Sequence, residues 1–229
     1  MKRAFDLSIG TMGLLLFSPI LLFFILLVWL QDRKSPFYIA PRIGLDGTPF
    51  KMIKLRSMTA GADRTGVEST AADDSRITRV GHMIRHYKLD ELSQLINVVK
   101  GEMSLVGPRP NVQSDVDLYT DEEEKLLTVK PGITDLASIV FADEGEILRG
   151  SSDPDLDYKR LIKPWKSRLA LLYIEKSSIP LDLRILYLTA LTTFSRRRAL
   201  RGVERTLRVL DADDDLIGVA RRDRELCPA

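Results

Sequence analysis

Between Leu7 and Leu30 the chain carries no charged residue. A run of roughly 20 apolar residues is the length a helix needs to cross the hydrocarbon core of a bilayer. A cleaved leader fits poorly, because the apolar part is too long and no small-x-small site follows Trp29-Leu30. Ser18-Pro19 interrupts the segment at its middle. Pro19 has no N–H for the carbonyl of Leu15 and its ring crowds that carbonyl, a cost of about 3 kcal/mol in a helix interior. Lipid offers the freed carbonyl no water. The Ser18 hydroxyl can bond back to the preceding turn and offset part of the loss, so a bent helix is expected. Lys2-Arg3 precede the segment and Arg33-Lys34 follow it. Positive charge prefers the cytoplasm, so basic residues at both ends suit a return to the same side. Residues 1–34 are therefore expected to form a re-entrant membrane helix hairpin, broken at Ser18 and Pro19. A kinked spanning helix is the alternative, and Asp32 beside Arg33 weakens the charge argument.

The 229 residues suffice for one domain of ordinary size besides this element. Lys and Arg number 34 against 32 Asp and Glu. That balance lacks the basic excess of a general nucleic-acid binder, so no nucleic-acid partner is expected. The single cysteine, Cys227, excludes an internal disulfide and a cysteine-based zinc site. His82 and His86 are too few for a histidine-rich metal site, and both are expected to be exposed bystanders. A reducing, cytosolic setting follows for the polar part.

Residues 35–195 are expected to form that cytosolic domain, lying at the membrane interface. The fold class is α+β, mostly helical, with a small β-hairpin and interfacial amphipathic helices. Asp46-Gly47 marks a hairpin turn, and Lys51 to Met58 alternates as a strand does. Ala60 to Arg76 is small, polar and aperiodic, and is expected to be a mobile loop of functional length. Leu89, Leu92, Ile96 and Val99 recur at helical spacing, with Gly101 placed to end the helix. Thr120 to Val129 predicts a short acidic helix, and Pro164 opens another running to about Glu175. Leu181 to Phe194 is apolar but too short and interrupted to span a bilayer; it suits a core or an interface. Residues 196–229 read as a basic C-terminal extension. Its helix from Arg196 to Leu210 fits either an anionic membrane surface or solvent.

The polar residues narrow the chemistry. Asp90 and Glu91 stand at the start of a helix, where Asp90 can act as a cap and Glu91 can complement the dipole. The same placement suits catalysis. A carboxylate can attack phosphorus and divide one difficult transfer into two easier ones. Its neighbour can hold Mg²⁺, a hard cation that favours carboxylates and substrate phosphates. Arg109 lies between Pro108 and Pro110, so a stiff backbone presents a guanidinium suited to phosphate oxygens; a surface ion pair is the other reading. Arg85 can approach from the preceding turn, and Lys54 and Arg56 can add positive charge. These features alone describe a membrane-associated protein with a phosphate site.

The order of the motifs carries a family likeness. Lys2-Arg3-Ala4-Phe5-Asp6, Ser18-Pro19, Lys54-Leu55-Arg56-Ser57-Met58, Leu89-Asp90-Glu91-Leu92-Ser93-Gln94-Leu95 and Asn97 through Pro110 resemble, in sequence, the small monotopic phosphoglycosyl transferases among the bacterial sugar transferases. Pro131-Gly132-Ile133-Thr134 and Asp182-Leu183 extend the likeness to about residue 194. The resemblance implies that Asp90 attacks the β-phosphate of a nucleoside diphosphate sugar, a UDP-sugar above all. It implies a phosphosugar-enzyme and its transfer to polyprenol phosphate, initiating glycoconjugate or exopolysaccharide assembly. It assigns Glu91 to Mg²⁺ and Arg85 and Arg109 to the phosphates. It places the enzyme among the lipids of the bacterial inner membrane, at the cytoplasmic face, and leaves homo-oligomerisation open. One departure stands out. Asp135-Leu136-Ala137-Ser138 replaces the Gly-Trp-Ala-Gln of many members, and Ala142 falls where they carry an active-site arginine. A membrane-bound interaction protein of the same fold, with turnover impaired, is the alternative that Ala142 raises.

Overall fold

A computed structural model describes residues 1–62, 70–71, 73–222 and 226. Residues 63–69 and 72 of the mobile loop expected at 60–76, and Cys227, lie outside the described residues. Helix α1 runs from Lys2 to Asp32, and it alone among the described residues is long and apolar enough to cross a membrane. It is one continuous helix through Pro19 rather than two separate arms. The Ser18 hydroxyl donates to the Leu15 carbonyl at 2.8 Å, the acceptor that Pro19 leaves without its N–H.

Both ends of α1 rest on the same domain. At the first turns, Asp6 is buried and accepts from the Ser104 hydroxyl and the Leu105 N–H. Lys2 reaches Asp182 at 2.6 Å, and Arg3 donates to the Val98 and Val99 carbonyls. Those carbonyls close a helix C-terminus, where a cation is favoured by the dipole. At the far end Phe24 and Val28 pack with Leu55 and Ile84, and Asp32 pairs with Arg56 at 2.6 Å. Arg56, read as a further positive charge for the site, thus anchors this helix instead. Between the anchors Met12, Leu15, Leu16, Ile20, Leu22 and Phe23 are exposed.

Strands β1 (Phe37–Ile43) and β2 (Pro49–Leu55) form the expected antiparallel hairpin, with Phe37 opposite Leu55. Asp46 and Gly47 both take positive φ at its turn, the conformation that favours Asp-Gly there. Helix α2 (Arg79–His86) is capped by Thr78, whose hydroxyl accepts from the Gly81 N–H. The helix expected over residues 89–99 begins as a 3-10 segment, Leu89–Gln94, and continues as α3 (Leu95–Lys100), ended by Gly101 at φ 86°.

Strand β3 (Ser104–Val106) pairs in parallel with β4 (Gly132–Thr134), a second two-stranded sheet that three-residue strands gave no periodicity to reveal. Between them lie α4 (Gln113–Val116) and a 3-10 stretch, Glu123–Thr128, within the expected acidic helix. Short helices α5 (Leu136–Val140), α6 (Glu144–Ile147) and α7 (Pro154–Asp157) follow. A π-helical turn, Tyr158–Ile162, leads into α8 (Lys163–Lys176), and α9 spans Ile179–Phe194.

The extension forms α10 (Arg196–Val209) and α11 (Asp214–Arg221). Ala199, Val203 and Leu207 of α10 join the main core with Ile185 and Leu188 of α9 and Ile139 of α5. Its apolar side therefore faces protein; Arg197, Arg198, Arg201, Arg205 and Arg208 face outward, while Arg196 turns in to Asp143.

Candidate active site

The site forms where β2 meets the 3-10 segment. β1 takes one edge of β2; side chains satisfy the other. The Ser93 hydroxyl donates to the Ile53 carbonyl at 3.0 Å, Asn97 Oδ1 accepts from the Ile53 N–H at 3.0 Å, and Asn97 Nδ2 donates to the Lys51 carbonyl at 2.8 Å. This side-chain zipper fixes Lys54 of β2 against Asp90 and Glu91. Lys88 makes the corner before them at φ 55°, a left-handed conformation that costs a non-glycine residue roughly 1–2 kcal/mol. The corner lets Arg85, from the end of α2, bear on Asp90.

Asp90 is not the helix cap that its position allows. Lys88 occupies that place, without a side-chain cap bond. Asp90 Oδ1 is buried with no hydrogen-bond partner among the described residues. Burial, and then the negative charge of Glu91, push the Asp90 carboxyl up from its usual range. Glu91 goes the other way. Burial would raise it, but Arg109 and then Lys54 overcome that and hold it ionised. Arg109 Nη2 lies 2.9 Å from Glu91 Oε1, and Arg109 Nη1 donates to the Ile133 carbonyl at 2.5 Å. Burial, with the charge of Arg109, lowers Lys54. Two adjacent carboxylates thus differ in character: one engaged and anionic, one desolvated with a free oxygen. That is the arrangement expected of a nucleophile beside a charge anchor.

The donor set suits a hard divalent ion, since Mg²⁺ is commonly held by one or two carboxylates and completed by substrate phosphates. Glu91 would hold it, shared between the ion and Arg109. No group of three or more His, Cys, Asp or Glu is placed to hold a metal among the described residues, so the substrate would complete the shell. His82 and His86 are exposed.

Sequence reasoning missed a second half of this centre. Asp135 is buried and caps α5 through the Ser138 N–H at 2.6 Å and hydroxyl at 2.7 Å. Burial raises its carboxyl, against the pull of Ser138 and Arg109. Lys166 of α8 pairs with Glu144 and lies 5.0 Å from the centroid of the Tyr158 ring. Burial would lower Lys166, but Tyr158 and Glu144 outweigh it and keep it protonated. A lysine inside a helix carries no local signal of such a role. Ala142 follows Phe141, which underlies the Arg222 guanidinium, and Arg222 and Arg196 both pair with Asp143.

A family model described as bacterial sugar transferase matches residues 1–196. The chain belongs to that family. The match ends at the start of α10. The chain is 38% identical over 189 residues to EpsL of Bacillus subtilis (strain 168), named an uncharacterized sugar transferase, covering 82% of this chain and 85% of EpsL. It is 40% identical over 153 residues to the exopolysaccharide production protein ExoY of Sinorhizobium fredii, covering 60% of this chain and 68% of ExoY. It is 35% identical over 172 residues to the UDP-glucose:undecaprenyl-phosphate glucose-1-phosphate transferase of Caulobacter vibrioides, covering 72% of this chain and 64% of that enzyme.

Proposed function

We propose that this sugar transferase is a phosphoglycosyl transferase. It moves a sugar-1-phosphate from a UDP-sugar to polyprenol phosphate through an aspartyl-phosphosugar intermediate on Asp90, and so initiates glycoconjugate or exopolysaccharide assembly. The buried, unpartnered oxygen of Asp90 beside the Glu91–Arg109 pair carries this reading. The names of the Caulobacter and Sinorhizobium relatives agree with it.

In the first step an Asp90 oxygen forms a bond to the β-phosphorus. The bond from that phosphorus to the bridging oxygen breaks, and the nucleoside monophosphate leaves with the electron pair. In the second step an oxygen of the lipid phosphate attacks the same phosphorus and releases the Asp90 carboxylate. Desolvation makes Asp90 a stronger base and a better nucleophile than an exposed carboxylate. Arg109, Lys54 and Arg85 balance the phosphate charge, and their fixed positions remove reorganisation from the step. Mg²⁺ bound at Glu91 would add charge neutralisation on the diphosphate.

The acceptor is a lipid, and α1 supplies access to it. A helix of 31 residues is about 46 Å long, more than the ~30 Å hydrocarbon core. A spanning helix would carry the domain at one end. Here both ends are tied to the domain, with exposed apolar residues between them. This favours a re-entrant helix with its ends at the cytoplasmic face of the inner membrane.

Intact-protein mass spectrometry after incubation with UDP-sugars tests the reading. A phosphosugar adduct on Asp90, with UMP released, is expected. An adduct on any other residue would overturn the assignment, and a protein that neither forms an adduct nor releases UMP from any donor would be the interaction protein that Ala142 raises.

A further inference from the structure

Arg109, Lys54 and Arg85 suffice for the phosphates, and leave the Lys166 cluster in the same centre without a task. Lys166 pairs with Glu144, and its ammonium lies 5.0 Å from the centroid of the Tyr158 ring. The Lys166 and Glu144 side chains remain 22% and 31% exposed, so a ligand can reach them. The cluster adjoins the centre at Arg109 and Asp135. Arg109 holds the carbonyl of Ile133, two residues before Asp135, and α5, which Asp135 caps, packs against α8, which carries Lys166. The charges that act most on Asp90 are instead Glu91, Lys54, Lys88 and Arg85.

The cluster is also built to hold its shape. Glu144 directly follows Asp143, which Arg196 and Arg222 grip at 2.8 and 3.1 Å from the C-terminal helices. Tyr158 opens the π-helical turn, a distortion of the helix that is frequent at functional sites.

Its chemistry differs from that around Asp90. Glu144 neutralises Lys166, so the pair adds little net attraction for a phosphate. It offers ammonium donors, carboxylate acceptors, a phenol and a ring face, which are the groups a hydroxyl-rich ring requires. A sugar nucleotide with its β-phosphorus at Asp90 carries its hexose on that same phosphate, beside Arg109. We propose that Lys166, Glu144 and Tyr158 form the subsite that binds the hexose of the sugar nucleotide and selects among sugars by their hydroxyls. The proposal rests on the phosphoglycosyl transferase reading for the direction in which the donor lies.

The test is equilibrium binding, which does not depend on turnover. Full-length protein in nanodiscs is titrated by calorimetry with UDP, UDP-glucose, UDP-galactose and UDP-N-acetylglucosamine. The wild type is expected to bind at least one sugar nucleotide about tenfold more tightly than UDP, roughly the worth of one hydrogen bond to a charged group. Glu144→Gln should remove most of that preference and leave UDP affinity unchanged. Tyr158→Phe, which keeps the ring, should remove part of it and guards against a folding defect. A wild type that binds all four alike overturns the proposal. So do variants that keep the whole preference, or that lose UDP in parallel. A sugar preference without an adduct at Asp90 would leave the subsite standing and remove the transfer reading; an adduct with sugar-indifferent variants would do the reverse.

Discussion

Arg109 ties Glu91 to the Ile133 carbonyl with two nitrogens of one guanidinium, at 2.9 and 2.5 Å. The first contact holds the Glu91 carboxylate beside Asp90, and the second fixes the planar group to β4. A lysine, a point charge on a flexible stem, can make one of these contacts but not both in a fixed plane. Arg109→Lys should lower kcat and kcat/KM together, by about tenfold or more for a contact worth roughly 1.5–3 kcal/mol. Steady-state kinetics with a thermal melt as a folding check measures this. Wild-type values for both parameters in a folded variant would reduce Arg109 to a surface ion pair.

The aim of Arg109 depends on how closely β3 and β4 approach. A Cβ on Gly132 would sit 2.1 Å from the Gly107 nitrogen and 2.4 Å from its oxygen. Both are backbone atoms that cannot swing aside. Gly132→Ala should therefore force the strands apart, at a cost of about 1–3 kcal/mol, and displace the loop that carries Arg109. The melting temperature should fall by roughly 2–4 °C per kcal/mol, with kcat falling alongside. An unchanged melt and an unchanged kcat would mean that the strands tolerate separation.

Asp90 carries an electrostatic cost in the fold. Burial and Glu91 raise its carboxyl above the unfolded value, so the native state binds the proton more tightly than the unfolded chain does. Stability contributed by this group is present below its unfolded pKa and is lost as pH rises through the folded one. At neutral pH the ionised form is a burden that Asp90→Asn removes. The variant should form no adduct, because an amide cannot act as the nucleophile, and yet should melt higher than wild type by about 2–4 °C if the relief is near 1 kcal/mol. In the wild type, activity should fall on acidification at a pH above the usual aspartate range. An Asp90→Asn protein that melts lower would show that the carboxylate is instead stabilised in the fold.

Glu91 stays ionised under Arg109 and Lys54, which suits a role toward Mg²⁺. UMP release should be lost in excess chelator and recovered on adding Mg²⁺. Glu91→Gln should raise the Mg²⁺ concentration needed for half-maximal rate while leaving the melt near wild type. Full activity in chelator would remove the ion from the chemistry.

Much of the architecture was legible because it is written in strong local signals. The apolar run, the Asp46-Gly47 turn, the helix opened by Pro164 and the glycine stop at Gly101 each depend on neighbours in sequence. The carboxylate pair was visible as Asp90-Glu91, and Arg109 by its prolines. What escaped is long-range. Three-residue strands have no period to read, so β3 and β4, and the Ile133 carbonyl that steadies Arg109, could not be foreseen. Lys166 and Glu144 are 22 positions apart and meet because α5, just before the turn that leads to Glu144 at the start of α6, packs on α8. The apolar side of α10 looked equally suited to a membrane surface or to solvent, and the fold gave it a third neighbour, the core formed with α5 and α9.

The topology of α1 can be decided directly. Lys2 and Asp32 are both tied into one domain, through Asp182 and Arg56, and the exposed apolar residues lie between them. In a background lacking Cys227, single cysteines at the Lys2 and Lys34 positions should both be inaccessible to a membrane-impermeant thiol reagent added from the periplasm, and both should label in inverted vesicles. Labelling of one position only from the periplasm would establish a spanning helix. Pro19→Ala restores an N–H to the Leu15 carbonyl, which Ser18 now occupies. If the break in hydrogen bonding at Pro19 is what returns the chain, this variant should shift a fraction of molecules to labelling of the Lys34 position from the periplasm and lose adduct formation in the same fraction. Unchanged sidedness in the alanine variant would place the determinant in the two anchors instead, and Arg56→Ala, which removes the ion pair to Asp32, would then be the substitution that converts the re-entrant helix to a span.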